Sequence, residues 1–429
     1  MIQLQSPPRK SLANRDAAVI WHPFTQMKTA ADPIGIARAS GLYLYDEDGK
    51  AYMDAISSWW VNIHGHCHPH LIQAITSQIQ RLEHVIFAGF THEPAIQLAE
   101  KLLALLPPGQ SRIFYSDNGS TAVEVAIKMA LQFWYNKGIA RKKVVALTHS
   151  YHGDTFGSMA VSSPGIFTAP YRDLLFSVDF IELPVSEAQV NEFERVVQQP
   201  DIAAFIFEPL IQGSGGMKMH SPSIIDRLIR ICRDNNVLII ADEVMTGFGR
   251  TGKTFAVDHL EHKPDMICLS KGLTGGTMPL GVTSCNSHIY EAFLSDERQK
   301  MFFHGHSYTA NPLACAAGVA SLELLLAAET QAAITMIGAH HARFFSEIRE
   351  HPRVGGIRKQ GTILAFEWAT GQDTSYFNTI RDTLYDFFLS KGILLRPLGN
   401  VLYIMPPYCI TSQELDYIYS TIKTALDLF

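Results

Sequence analysis

The chain has 429 residues, of which 47% are hydrophobic, so it is long enough to bury a large core and to form two or three domains. Its formal net charge is -6, from 35 basic and 41 acidic residues without a long basic run. This balance argues against nucleic acid or an anionic membrane as a partner, and a small-molecule ligand is the better expectation.

The six cysteines show no pattern typical of a metal site or a disulfide framework. They are scattered without a CxxC pair, and several lie in apolar runs, where cysteine is usually a small core residue. This usage suits the reducing cytoplasm, which is the expected location. Residues 1–10 lack the apolar core of a signal peptide and are expected to form a loose leader. The apolar stretch at residues 313–328 is interrupted by Ser321 and Glu323, so no membrane span is expected.

The first elements predicted along the chain are a hairpin and a helix. Residues 41–54 alternate apolar and polar side chains around Asp48-Gly49, which is typical of a β-hairpin. From His68-Pro69 onward, apolar residues recur at helical spacing, which predicts an amphipathic helix.

Alternating histidines precede this helix and at first suggest a metal site. They are His64, His66, His68 and His70. Their spacing fits no usual zinc pattern, so we expect a helix start and no metal. The pair His304 and His306 is interpreted in the same way.

A repeated pattern of strand, loop and helix fills the middle of the chain. The short apolar runs that predict strands are 112–116, 143–147, 202–207, 237–241 and 266–269. Such alternation favours an α/β fold in which a mostly parallel sheet carries helices on both faces.

The last hundred residues change character. A strongly apolar helix that starts at Pro312 ends near Ala328, and helices then mix with short strands at 362–368 and 401–405. We therefore expect an N-terminal segment (1–60) that contributes to a small domain, a large domain (61–328), and a C-terminal small α+β domain (329–429).

Two residues at the ends of predicted strands suggest a specific chemistry. Asp242 follows the run 237–241, and Lys271 comes 29 residues later, after the run 266–269. Alone, Asp242 is as easily a strand-end residue that caps the next turn, and Lys271 a surface lysine. Together they form the pair that pyridoxal phosphate chemistry needs, a carboxylate for the pyridine nitrogen and an amine for the aldehyde. Lys271 would also move the proton at the substrate carbon.

Residues 117–121 close one predicted strand and open a helix. Free backbone N–H groups at such a start can hold a phosphate, with Gly119 allowing close approach and Ser120 adding a hydroxyl. A capping box formed by Ser120 and Glu124 would explain the same residues almost as well.

Further candidates lie in loops at the same edge of the sheet. Tyr151 follows the run 143–147 and can stack on a cofactor ring whose other face meets Val244, although a turn with a buried tyrosine is an equal alternative. Arg250 and Arg396 can bind a substrate carboxylate, although surface arginines are far commoner.

From about Trp21 to the C-terminus the chain resembles the class III, ω-amino acid type, aminotransferases that use pyridoxal phosphate. The motif that carries the resemblance runs from Asp242 to Gly252 and continues with Asp265 and Ser270-Lys271-Gly272. Further matching stretches are Trp21-His22-Pro23, Ser57-Ser58-Trp59-Trp60, Ile63-His64-Gly65, Tyr151-His152-Gly153-Asp154, Thr274-Gly275-Gly276, Asn311-Pro312-Leu313-Ala314 and Met405-Pro406-Pro407-Tyr408.

The resemblance implies a fold type I homodimer with active sites shared between subunits. It makes Lys271 the Schiff-base lysine and Asp242 the partner of the pyridine nitrogen. Gly119 and Ser120 would hold the phosphate of pyridoxal 5'-phosphate, helped by Ser307 from the neighbouring subunit.

The resemblance also assigns substrate contacts. Tyr151 would stack on the ring and face the substrate, Trp59 would line the pocket, and Arg396 would take a substrate carboxylate. The positions that match the vicinity of the substrate are Phe24, Asp154, Arg250 and Gly305.

Two residues depart from the best-known members of the family. Phe24 stands where they have tyrosine, and the lost hydroxyl affects a hydrogen bond to an amino substrate worth on the order of 1 kcal/mol. Ser307 stands where they have threonine, and its hydroxyl can serve equally.

The activity implied by the resemblance is transfer of an amino group from S-adenosylmethionine to 8-amino-7-oxononanoate in biotin synthesis. The alternatives left open are a class III aminotransferase with lysine, ornithine, 4-aminobutyrate or a diamine as donor, and an aminomutase or racemase. A noncatalytic regulator is disfavoured because Lys271 and Asp242 are both present.

Overall fold

A computed structural model of the chain describes residues 11–371 and 374–429, so the leader expected at residues 1–10 lies outside the described part. The strands are β1 Ile36–Ser40, β2 Tyr43–Asp46, β3 Ala51–Asp54, β4 Gln110–Ser116, β5 Lys143–Leu147, β6 Val178–Ile181, β7 Ile202–Phe207, β8 Ile211–Gln212, β9 Lys218–Met219, β10 Leu238–Asp242, β11 Met266–Leu269, β12 Gly281–Asn286, β13 Val354–Gln360, β14 Ile363–Trp368, β15 Ile393–Leu394 and β16 Val401–Ile404. The helices are α1 Leu12–Asp16, α2 Ser57–Trp60, α3 Pro69–Ile79, α4 Glu93–Leu105, α5 Gly119–Asn136, α6 Phe156–Ala160, α7 Glu187–Val197, α8 Pro222–Asp234, α9 Ser287–Glu291, α10 Pro312–Leu326, α11 Ala328–Ile348, α12 Ile380–Ser390 and α13 Ser412–Leu428.

The central sheet has seven strands in the order β4-β12-β11-β10-β7-β5-β6. Neighbours from β11 to β6 pair in parallel, whereas β12 runs antiparallel to both β11 and β4. The predicted mostly parallel sheet is therefore confirmed. Its inner strands β7, β10 and β11 are buried along their whole length, and apart from Asp242 at the end of β10 they are apolar, because helices cover both faces.

Alternate residues of one inner strand enter two separate cores. In β5, Val144 and Ala146 pack with α5 on one face, whereas Val145 and Leu147 belong to the larger core on the other. This is the two-residue period of a β-strand, and it produces the three-layer arrangement of helix, sheet and helix.

Most of the predicted strands coincide with observed ones, and two strands of the central sheet were missed. The run 237–241 is shifted by one residue, so that Asp242 is the last residue of β10 itself. The missed strands are the edge strand β6 and the polar strand β12, in which Thr283 donates a hydrogen bond to Ala122 O at 2.7 Å. Hydroxyls that are satisfied inside the protein hide a buried strand from a hydropathy pattern.

The N-terminal hairpin forms as predicted, and it joins a strand from the far end of the chain. Strands β2 and β3 pair antiparallel, and β3 pairs in parallel with β15, so the sheet order is β1-β2-β3-β15. A third sheet has the order β13-β14-β16. The division at residues 60 and 328 stays a prediction, and the shared β3–β15 pairing supports the idea that residues 1–60 join the small domain.

Among residues 11–371 and 374–429, no single helix has the length and apolar character needed to cross a membrane. The pair α10 and α11 passes a test of length and composition only when taken together, and the two helices are bent by 66°.

Candidate active site

Lys271 lies at the carboxyl end of β11, where a 3₁₀ turn, Lys271–Thr274, begins with a left-handed backbone at φ 46°. Its Nζ is 4.6 Å from the centroid of the Trp60 ring. Burial lowers the pKa of Lys271 to about 8, although the nearby carboxylates of Asp242 and Glu208 oppose this shift. The amine therefore has an accessible neutral form near physiological pH.

Asp242 is buried at the end of β10, and each of its oxygens has a partner. Oδ1 accepts a hydrogen bond from Val244 N at 3.0 Å, which is the turn-capping role considered for this residue. Oδ2 lies 2.7 Å from His152 Nδ1. The sequence analysis did not assign a role to His152, although it lies between Tyr151 and Gly153; its Nε2 is buried and has no hydrogen-bond partner in the described part of the chain.

Glu208 is a second residue that the sequence analysis missed. It is buried directly after β7, where its two oxygens accept hydrogen bonds from Tyr151 N at 3.0 Å and Gly213 N at 2.9 Å. Burial raises the pKa of Glu208 to about 7. Glu208 thus fixes the backbone that carries Tyr151.

Tyr151 donates a hydrogen bond from its hydroxyl to Asp154 Oδ2 at 2.8 Å. Burial, followed by the charge of Asp154, raises the pKa of Tyr151 far above its ordinary value. The phenol is therefore neutral and acts as a donor, and Asp154 is oriented by it.

The start of α5 is capped differently from the prediction. Asn118 is the N-cap; its side chain accepts from Thr121 N at 3.0 Å, and Thr121 Oγ1 accepts from Asn118 N at 3.0 Å. The proposed capping box of Ser120 and Glu124 is wrong, because Glu124 instead accepts hydrogen bonds from Thr155 and Gly157. Ser120 Oγ accepts from Asp154 N at 3.2 Å, which joins the helix start to the Tyr151 loop.

A small polar cavity of about 150 Å³ lies between these groups. Its walls are formed by Trp60, Asn118, Gly119, Ser120, Tyr151, His152, Gly153, Glu208, Ser214, Asp242, Val244, Met245 and Lys271. At two positions of its wall, Gly119 and Gly153, a side chain would collide with a neighbouring residue. A Cβ on Gly119 would lie 2.6 Å from Val244 Cγ1, and a Cβ on Gly153, whose φ is 134°, would lie 2.2 Å from Ser120 Oγ.

A larger, mainly apolar cavity of about 640 Å³ opens from the same place. It shares Trp60, Tyr151, Gly153, Ser214 and Lys271 with the small one, so the two cavities meet at the lysine. Phe24 packs edge-on against Trp59 at 5.7 Å and Phe167 at 5.8 Å. The Arg396 guanidinium lies 4.9 Å from the centroid of the Trp59 ring.

Three of the predicted site residues do not line either cavity. Arg250 is only 1% exposed; it donates from Nη1 to Pro406 O at 2.8 Å and from Nη2 to Trp60 O at 3.4 Å, behind the cavity wall. Gly305 and Ser307 are exposed on the loop that leads to α10. Within one subunit, the structure therefore does not bring these three to the site.

The alternating histidines have structural partners. His68 is the N-cap of α3 and accepts a hydrogen bond from His70 N, as expected for a helix start. In residues 11–371 and 374–429, no group of three or more His, Cys, Asp or Glu residues is arranged to hold a metal ion.

Comparisons with known proteins agree over nearly the whole chain. A sequence model of the family "Aminotransferase class-III" matches residues 26–426. An adenosylmethionine-8-amino-7-oxononanoate aminotransferase of Synechococcus elongatus is 46% identical over 95% of this chain and 98% of its own length. The protein of the same name from Geobacter sulfurreducens is 36% identical over 97% of both chains.

Solved structures of transaminases have the same fold as this chain. The adenosylmethionine-8-amino-7-oxononanoate aminotransferase of Methanocaldococcus jannaschii superposes with a TM-score of 0.93 at 35% identity, covering 97% of this chain and 98% of its own. An omega transaminase of Pseudomonas jessenii in complex with PMP gives a TM-score of 0.91 at 27% identity, with the same two coverages.

Proposed function

Since the chain belongs to the class-III aminotransferase family and is an aminotransferase, we propose that it transfers an amino group from S-adenosylmethionine to 8-amino-7-oxononanoate. The product is 7,8-diaminononanoate, an intermediate of biotin synthesis. One observation carries this proposal: a narrow polar cavity and a wide apolar cavity meet at a lysine with a lowered pKa. A cofactor and a long aliphatic substrate can thus reach the same amine.

We propose pyridoxal 5'-phosphate as the cofactor of the small cavity. The start of α5 and the Ser120 hydroxyl suit its phosphate, and the absence of a side chain at Gly119 and Gly153 leaves room for it. Asp242, whose Oδ2 lies 2.7 Å from His152 Nδ1, suits a protonated pyridine nitrogen. When bound, this cofactor supplies an aldehyde that takes up the amino group and a ring that accepts electrons.

Lys271 is proposed as the catalytic base and the point of cofactor attachment. Its neutral form can accept the proton at the substrate carbon and return it to the cofactor side in the same site. Trp60, against which Nζ lies, keeps water from that side of the amine. Tyr151 and Val244 would cover the two faces of the ring.

The large cavity is proposed to bind both substrates in turn. Its apolar wall of Phe24, Trp59 and Phe167 suits an aliphatic chain, and Arg396 at that wall suits a terminal carboxylate. Asp154, which also lines the cavity, provides a negative charge for a cationic donor. No direct substrate contact is proposed for Arg250, because its guanidinium is occupied by backbone carbonyls.

We further propose a cytoplasmic homodimer with shared active sites and with no nucleic acid or membrane partner. The loop that carries Gly305 and Ser307 is rich in exposed apolar side chains, with Phe303 56% and Tyr308 62% exposed. Such a surface is suited to a subunit interface. The partner subunit's Ser307 would then complete the phosphate site.

The test is the absorption spectrum of the protein loaded with pyridoxal phosphate. S-adenosylmethionine should remove the visible band of the cofactor, and 8-amino-7-oxononanoate should restore it. Lysine, ornithine, 4-aminobutyrate and glutamate are the parallel donors. If one of these acts instead, the donor assignment is wrong while the aminotransferase activity remains. An aminomutase would need no second substrate.

A further inference from the structure

A left-handed turn forms one wall of the large cavity. Four successive residues other than glycine, Ser57, Ser58, Trp59 and Trp60, have φ values of 52°, 45°, 75° and 76°. Trp60 N donates to Ile56 O at 3.0 Å, so the turn is helical in its hydrogen bonding. L-residues avoid this conformation because Cβ approaches the following carbonyl oxygen. A run of four therefore needs strong support from its surroundings.

Asp54 supplies that support from inside the protein. It is fully buried at the end of β3. Oδ1 accepts a hydrogen bond from Ser58 N at 2.8 Å, and Oδ2 accepts one from Ser58 Oγ at 2.6 Å. His66 Nε2 lies 2.9 Å from Oδ2, and the Asn62 amide nitrogen lies 2.9 Å from His66 Nδ1. The Asp54 carboxylate thus contacts Ser58 within the turn and His66, which follows the turn in the chain.

The opposite side of the turn is held by other groups. Ser57 Oγ donates to Met405 O at 2.8 Å, and Arg250 donates to Trp60 O at 3.4 Å. A buried carboxylate therefore accepts both hydrogen bonds of Ser58, while a buried guanidinium donates to the carbonyl of Trp60. This arrangement also gives Arg250 a role that needs no contact with substrate.

The turn carries two indole rings, one beside Lys271 and one beside Arg396. Trp60 lies beside Lys271 and donates from Nε1 to Tyr403 Oη at 3.0 Å. Trp59 is 41% exposed and contacts both the Arg396 guanidinium and the Phe24 ring. The backbone of the turn joins the ring beside the reacting amine to the ring beside Arg396, so its conformation affects the distance between them.

We propose that Asp54 is a positioning residue that sets selectivity for a long carboxylic acid substrate. By holding the left-handed turn, with His66 behind it, Asp54 fixes Trp59 against Arg396, and this fixes where the substrate carboxylate binds. The inference rests on the proposed function, since it concerns the carboxylate end of 8-amino-7-oxononanoate.

The experiment compares two ketones in the holoenzyme. One is 8-amino-7-oxononanoate, and the other is 2-aminononan-3-one, which has a methyl group in place of the carboxylate. Asp54→Ala is expected to lower the ratio of the two kcat/KM values at least tenfold, mainly through the KM for the acid. Asp54→Asn, which keeps one oxygen for Ser58 N, should retain part of this preference.

A matched control distinguishes positioning from general stability. Asp46 in the same sheet accepts hydrogen bonds from Lys50 N at 2.8 Å and Tyr52 Oη at 3.1 Å, and it does not line the cavity. Asp46→Ala should leave the ratio unchanged. If Asp54→Ala lowers both kcat/KM values equally, so that their ratio stays the same as in the Asp46→Ala control, the inference is wrong.

Iodide quenching of tryptophan fluorescence in the apoprotein gives a readout without turnover. The contribution of Trp59 is the difference between each protein and its Trp59→Phe derivative. Asp54→Ala should increase this contribution, and an unchanged value would contradict the inference. If Asp54→Ala does not fold, Ser58→Ala, which removes the 2.6 Å hydrogen bond, should change both readouts in the same direction. Failure of the wild type to use the acid would overturn the proposed function, while quenching would still test Asp54.

Discussion

Lys271 has surroundings that favour its neutral form. Burial lowers its pKa from 10.5 to about 8, so between these values the unfolded chain binds a proton that the folded chain lacks. The free energy of unfolding therefore rises with pH across this window. Below about pH 8 the amine is charged in both states, and its burial destabilises the folded protein by the full amount.

Lys271→Met should accordingly abolish amino transfer and stabilise the apoprotein. We expect a gain on the order of 1 to 3 kcal/mol at pH 7, because methionine fills the space without a charge. The gain should shrink toward zero as the pH approaches 10.5. Urea unfolding of both apoproteins at several pH values measures it, and a gain that is constant with pH would contradict the assigned cause.

Phe24 is the residue at which this chain departs from the family pattern. Its ring lines the large cavity beside Trp59. Phe24→Tyr should lower the KM for S-adenosylmethionine about fivefold, as one hydrogen bond of about 1 kcal/mol would. Steady-state kinetics with the donor varied provides the test. An unchanged KM would mean that the donor does not reach this residue.

At the scale of elements, α5 and the Tyr151 loop form one unit. Ser120 accepts from Asp154 N, and Gly153 has its backbone against Ser120. A side chain at Gly153 would separate the helix start from this loop, and the small cavity would lose its shape.

Gly153→Ala should therefore weaken pyridoxal phosphate binding at least tenfold. Its Cβ meets Ser120 Oγ, and its φ of 134° is poorly tolerated by alanine. Gly138→Ala is the matched control: its φ of 70° is also positive, but nothing lies within 4 Å of the new Cβ. The control should lower stability by roughly 1 kcal/mol and leave cofactor affinity unchanged. Equal affinities of the two variants, measured by fluorescence titration, would argue against the assigned cradle.

Local sequence patterns predicted the strands of the central sheet well. Contacts between residues far apart in the chain could not be predicted from such patterns. The runs that became β5, β7 and β11 are continuous and, apart from Lys143 at the start of β5, apolar, and their bounds were predicted to the residue. His152 pairs with Asp242 across 90 residues, and no spacing rule connects them. The burial of Arg250 was equally hidden, because its acceptors are backbone carbonyls that any sequence would provide.

At the scale of the whole molecule, the proposed homodimer with shared active sites predicts complementation between two inactive variants. Lys271→Ala and Ser307→Glu subunits should each be inactive, the second because its charge would repel the phosphate of the neighbouring site. Equal mixing followed by refolding should restore about a quarter of wild-type activity, since half of the proposed dimers would be mixed and one of the two sites in each would be intact. Absence of any recovery would show that each site belongs to one subunit.

The pairing of β3 with β15 has a consequence for biosynthesis. Met53 aligns with Ile393, and Trp60 is bonded to Tyr403, 343 residues further along. At typical translation rates, a ribosome needs roughly 20 to 70 s to make the intervening chain. During that time β3 lacks its partner strand β15, and Trp60 in the left-handed turn lacks its hydrogen-bond partner Tyr403. The emerging N-terminus is therefore the segment that a chaperone would be expected to shield until translation ends.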